Sequence, residues 1–259
     1  MRSRALILIP LPGLVALVLL AAPRGVWAQS ASFSVSQNGK PVGTASFGFT
    51  SKPAGYDSTS VVRVDMQGLS YALSKTEELS PSQGLAHVQL SAIVNGSAVN
   101  VSAGPDAGQL LVNISASGRS SSVRLAFHQL SVFLPDFDPG ALETLLALAA
   151  GNNNREIWAI IPKQAGSIAP IQLATYRDEH GTLNGSPIDV HHLVATISGA
   201  TTDLFSGPDN QLLQAELPQQ GFALVRNGFV LTPPAKPPAP PAAPTETSPA
   251  PPVQSSIPQ

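Results

Sequence analysis

From Ser32 to Leu231 apolar and polar residues alternate in short runs broken by turn residues, the period-two pattern of half-buried β-strands. Ala45, Phe47 and Phe49 fall on one face of the run Pro41 to Thr50, and Val62, Val64 and Met66 oppose Arg63 and Asp65 in Thr59 to Met66. Leu69 to Leu79 reads as the next strand. Val88, Leu90, Ala92 and Val94 line one side of Leu85 to Val94, and Leu110, Val112 and Ile114 repeat the pattern further on. Asn38-Gly39 and Asn95-Gly96 lie between such runs as hairpin turns. After the midpoint, strands are expected over Glu156 to Ile161, Ile168 to Tyr176, Ile188 to Ser198, Asp203 to Ser206, Gln211 to Leu217 and Phe222 to Leu231, with a turn at Glu179-His180-Gly181.

One segment departs from this period. Between Asp138 and Gly151 the spacing predicts a helix over residues 139–150: Asp138 is the N-cap, Pro139 takes the first helical position, and Glu143 favours the positive end of the dipole. Leu142, Leu145, Leu146 and Ala149 form one apolar stripe, while Gly151 is expected to end the helix in the left-handed conformation before Asn152 to Asn154. A helix this short is marginal alone, so its stripe must dock on something. About a dozen strands with a single helix predict a mainly β fold: one antiparallel curved sheet, half-barrel or barrel, with the helical insertion packed on it. A β-sandwich is the competing arrangement.

The two ends differ in composition. Residues 1–28 combine Arg2 and Arg4 with an apolar run and small side chains at Val26 to Ala28, which predicts a signal peptide cleaved before Gln29 and hence export to the periplasm or the exterior. That leader holds three of the fourteen basic residues and none of the sixteen acids, so its removal takes the net charge from −2 to −5. Such a balance, without a basic cluster, argues against nucleic acid as a partner. Residues 232–259 are rich in Pro and Ala and predict an extended tail without a core of its own. The 29–231 segment is long enough for one β domain, and with no cysteine it must rely on packing rather than disulfides.

The order of short motifs resembles a group of uncharacterised exported bacterial proteins of acidobacterial type, similar in fold to the antiparallel half-barrels of lipoprotein carriers. The matching pieces are Phe33-Ser34-Val35 with Asn38-Gly39-Lys40 and Val42-Gly43, the Leu142 to Leu148 helix, Ile160-Ile161-Pro162-Lys163-Gln164, Asp203-Leu204-Phe205 with Asp209 to Leu213, and Glu216-Leu217-Pro218 with Val225 to Phe229. The resemblance implies a curved sheet and, by analogy of fold, an apolar ligand.

Candidate chemistry is sparse. The chain has no Gly-x-Ser-x-Gly elbow, no cysteine nucleophile, no phosphate loop and no calcium loop, so no catalytic residue, metal or cofactor is assigned. Of the histidines His87, His128, His180, His191 and His192, the adjacent pair projects to opposite faces of a strand and cannot readily share a metal; His192 reads as a half-buried packing residue beside Val190 and Val194. Asp136 and Asp138 read as helix-start acids. The resemblance implies a bacterial source, where the four Asn-x-Ser sequences would carry no weight. The sequence therefore favours a non-catalytic domain of the cell envelope that binds an apolar small molecule or lipid, with Leu142, Leu145, Leu146 and Ala149 as the helix face over the ligand. An envelope scaffold that binds another protein is the main alternative, and a hydrolase with a dispersed site the third.

Overall fold

The computed structural model describes residues 28–151, 156–163 and 166–233. The leader up to Trp27, the residues Asn152 to Asn154 after the helix, Gln164, and the tail beyond Pro233 lie outside the described residues. Eight strands form an antiparallel meander: β1 (Ala28–Gln37), β2 (Lys40–Lys52), β3 (Gly55–Met66), β4 (Leu69–Leu79), β5 (Leu85–Val94), β6 (Ser97–Asp106), β7 (Gln109–Ala116) and β8 (Arg119–Ala126). Asn38-Gly39 and Asn95-Gly96 make the connections after β1 and β5 with positive φ at both residues, the geometry that matches the right-handed twist of the flanking strands.

Short β9 (Ser131–Phe133) precedes α1 (Pro139–Ala150), and the chain continues through β10 (Ile157–Ile161), β11 (Ser167–Thr175), β12 (Glu179–Leu183), β13 (Ser186–Ile197), β14 (Ala200–Ser206), β15 (Leu212–Leu217), β16 (Phe222–Arg226) and β17 (Phe229–Leu231). Strand β1 joins the two halves, pairing with β2 on one edge and β16 on the other. From β16 the ladder runs through β15, β14, β13, β11 and β10, and β10 pairs in parallel with β9. Among the described residues no ladder closes β8 onto β11, although the two approach, so the curved sheet stays open. The fold is thus the expected mainly β curved sheet with one helical insertion.

Three local expectations are corrected. Glu179 to Gly181 are not a turn: they open β12, which pairs with the first half of β13 and with β17. The Phe222 to Leu231 run is two strands split at Asn227-Gly228, where Gly228 has φ 83°. Gly151 caps the helix at φ −83°, in the right-handed region, and its N–H reaches Ala147 O at 3.2 Å, so the last turn keeps an ordinary α-helical bond and does not end in the left-handed conformation.

The main core lies on the concave face, where Phe33, Val62, Leu73, Val88, Val112 and Leu224 meet Leu145 and Leu146 of α1. The helix touches β2, β3, β9 and β15, so the sheet wraps around it. Pro139 through Leu146 and Leu148 are all buried, which extends well beyond the single stripe that the spacing predicts. A second, smaller core of Val190, Phe205, Leu213 and Phe229 forms on the other face, where β12, β17 and the first half of β13 fold over β14 and β15. That is why Leu212 and Leu213 are adjacent yet both fully buried: each faces a different core.

Candidate functional site

The inward faces of β4 to β7 extend past the start of α1, and there the concave surface is not covered by the helix. A cleft of about 410 Å³ remains between Leu90, Ala92, Val99, Val101 and Ile114 on the sheet and the segments Pro135 to Phe137 and Pro162 to Lys163 opposite. Alternation places only apolar side chains on this wall, and Ala92 and Ala116 in its lining leave space where larger residues would fill it. The mouth is polar: Lys163 Nζ lies 2.7 Å from Asp136 Oδ2, both half-exposed. Tyr71 points its hydroxyl at Asp136 O, 3.5 Å away. Burial, with Asp136 and Asp138 adding to it, pushes the Tyr71 phenol well above its ordinary range, so it remains a hydrogen-bond donor.

Phe137 divides this cleft from a smaller one of about 190 Å³ lined by Leu134, Leu142, Ile197 and Leu217. It adopts φ 57°, costly for a bulky side chain, and is held by edge-to-face contacts with Tyr71 at 6.1 Å and Phe222 at 4.7 Å. A third cavity of about 320 Å³ is lined by Gln29, Phe49, Tyr56 and Leu79, with Glu143, Thr144 and Ala147 of α1. Glu143 lies beyond the first helical turn and does not serve the dipole. Its Oε1 accepts from Gln29 Nε2 and its Oε2 from the Leu212 N–H, each at 2.6 Å. Burial raises its carboxyl above the ordinary range, partly offset by those two donors and by Arg226.

The expected ligand face is distributed as follows. Leu145 and Leu146 sit in the core, Ala149 packs half-buried against it, and Leu142 lines the smaller cleft. Small residues do not all open space: a side chain at Gly43 would collide with the Arg63 backbone, so that glycine serves close strand approach.

Beneath the first turn of α1 lies a charged cluster. Lys75 Nζ is 2.9 Å from Glu77 Oε2 and 2.7 Å from Asp138 Oδ2, and all three side chains are 0% exposed. Register sets Ser60 opposite Lys75 and Ser58 opposite Glu77. Asp138 caps the helix as expected, its Oδ1 accepting from the N–H groups of Gly140 and Ala141 at 2.9 and 3.3 Å. Among the described residues Ser58 Oγ, Ser60 Oγ, Glu77 Oε1 and Asp138 Oδ2 have no hydrogen-bond partner of good geometry, although Oδ2 is in ion-pair contact with Lys75. Burial works against the Lys75 ammonium, but Asp138 and Glu77 outweigh it and hold the amine above its ordinary range. Burial pushes Glu77 upward, against the pull of Lys75. Sequence reasoning missed Lys75 and Glu77, and the signal was present: both occupy the inward positions of β4 between Leu73 and Leu79.

The histidines do not converge. His191 pairs with Asp178 at 2.9 Å and His180 with Asp189 at 3.2 Å, both at the surface. His128 stacks on Trp158 at 3.8 Å. His192 stacks on Phe205 at 4.5 Å and bonds Asp203 at 2.9 Å, the half-buried packing role expected of it. Among the described residues no group of three His, Asp or Glu side chains is placed to hold a metal ion, and no helix is long and apolar enough to cross a membrane. Comparison with family models, with curated proteins and with solved structures finds no match to the chain.

Proposed function

We propose that this is an exported cell-envelope protein whose curved sheet binds an apolar small molecule or lipid without catalysing its conversion. The supporting observation is the cleft on β4 to β7: an apolar wall with small residues, a polar mouth at Asp136 and Lys163, and a volume within the range of small-ligand pockets. In this reading an acyl chain lies along Ala92, Val101 and Ile114, and its polar end meets Lys163 and Tyr71. The helix face of Leu142, Leu145, Leu146 and Ala149 then acts mainly by holding the sheet curved, with Leu142 alone reaching a cleft. Kinship with the exported acidobacterial-type family and with lipoprotein carriers belongs to the same proposal, as does cleavage of the leader before Gln29.

Organic extraction of the protein purified from its envelope, followed by mass spectrometry, is expected to release a stoichiometric lipid. Ala92→Trp, which fills the cleft, is expected to abolish uptake of an apolar fluorescent dye while the protein remains folded. No extractable lipid, together with equal dye uptake by wild type and Ala92→Trp, would overturn the carrier reading in favour of a scaffold that docks another envelope protein.

A further inference from the structure

A buried ion pair is expensive unless its geometry and hydrogen bonding are complete, and in the Lys75, Glu77 and Asp138 cluster, among the described residues, Glu77 Oε1 has no hydrogen-bond partner and Asp138 Oδ2 meets Lys75 Nζ alone. One cation and two anions also leave the cluster with an uncompensated negative charge when all are ionised. The arrangement fits a different purpose. We propose that Lys75 Nζ and Asp138 Cγ condense into an intramolecular amide, a covalent tie between β4 and the start of α1, with Glu77 as the acid-base group.

Each participant is in place. Glu77 Oε2, 2.9 Å from Nζ, takes a proton from the ammonium and frees the nitrogen lone pair. Once the proton taken up by Glu77 has passed to Asp138 Oδ2 and made that carboxyl neutral, the amine attacks Asp138 Cγ, and the electron pair of the carbonyl moves to Oδ1. That oxygen already accepts from the N–H groups of Gly140 and Ala141, so the helix start serves as an oxyanion hole. Oδ2 has no such donor and is the leaving oxygen. It carries the proton passed on by Glu77 and receives a second from the attacking nitrogen, and the bond from Cγ to Oδ2 breaks with loss of water. An ammonium and a carboxylate become a neutral amide, Glu77 is restored, and no oxidant or reductant is required. Burial of the three groups supplies the proximity that makes condensation of a lysine with a carboxylate accessible, and the product removes two charges from the core. The cap survives, because the amide oxygen keeps both backbone donors. A chain without cysteine thereby gains a cross-link of another kind.

Intact mass under denaturing conditions and peptide mapping of the wild-type protein test this directly. The expected result is a mass lower by one water than the sequence of the recovered chain requires, and a branched peptide joining Lys75 to Asp138. Recovery of both segments as separate unmodified peptides overturns the proposal. Glu77→Gln is expected to restore the uncondensed mass; a Glu77→Gln protein that still carries the branched peptide overturns the role given to Glu77. The wild-type measurement reads covalent structure in unfolded protein and decides the cross-link by itself; the Glu77→Gln result bears on the role of Glu77 when circular dichroism shows that the variant has folded.

Discussion

The Glu143 carboxylate on α1 accepts the backbone N–H of Leu212, 69 residues further along the chain, at 2.6 Å. This bond ties the helix to the first residue of β15. Because burial raises the Glu143 carboxyl above its ordinary 4.5, the folded state holds this proton more tightly than the unfolded chain does. Stability contributed by the protonated form is complete below that value and declines as pH rises through the raised folded value. Glu143→Gln removes the titration, so the stability of wild type relative to Glu143→Gln is expected to fall as pH is raised from 4.5, measured by chemical denaturation along a pH series. A difference that stays flat with pH would contradict the assignment.

Leu145 is 1% exposed at the centre of the main core. Leu145→Asp is expected to cost more than about 3 kcal/mol, because it removes apolar contact and buries a charge together. Equilibrium unfolding that showed a loss of only about 0.5 kcal/mol would mean that the helix is not the plug of the sheet.

Gly140 lies inside α1, where alanine would ordinarily stabilise by about 1 kcal/mol. Here its Cβ would overlap Ser60 Oγ and approach Phe47 Cβ to 3.2 Å. Gly140→Ala is therefore expected to destabilise by about 1–3 kcal/mol, and part of that loss to return when Ser60→Ala is combined with it. Ser60 Oγ has no hydrogen-bond partner among the described residues, so Ser60→Ala alone is expected to be nearly neutral, the three proteins being compared by equilibrium chemical unfolding.

His192 belongs to the second core rather than to the cleft. Removal of its stacking on Phe205 and its bond to Asp203 in His192→Ala is expected to lower stability by about 1–3 kcal/mol and to leave dye uptake unchanged. A loss of uptake at unchanged stability would place the binding region on the wrong face.

Much of this molecule was legible from the order of its residues. Alternation identified which side of β2, β3, β5 and β7 faces inward, because side-chain direction on a strand follows from sequence parity alone. The Asp138 cap and the helix bounds were equally local, since they depend on residues within one turn. What remained hidden depends on contacts between distant segments. Nothing near Glu143 reveals that Leu212 will supply its donor, and nothing near Asp138 reveals that Lys75 and Glu77 will meet it. The strand at Glu179 to Leu183 was missed although half of its signal is local: Asn184-Gly185 turns it straight into β13, and only its other edge depends on β17, which the chain reaches at the end of the domain. The cleft, too, arises from curvature. Ala92 and Val101 are inward-facing from the pattern, but whether the helix covers them depends on where the sheet bends around α1, and tertiary packing alone decides that.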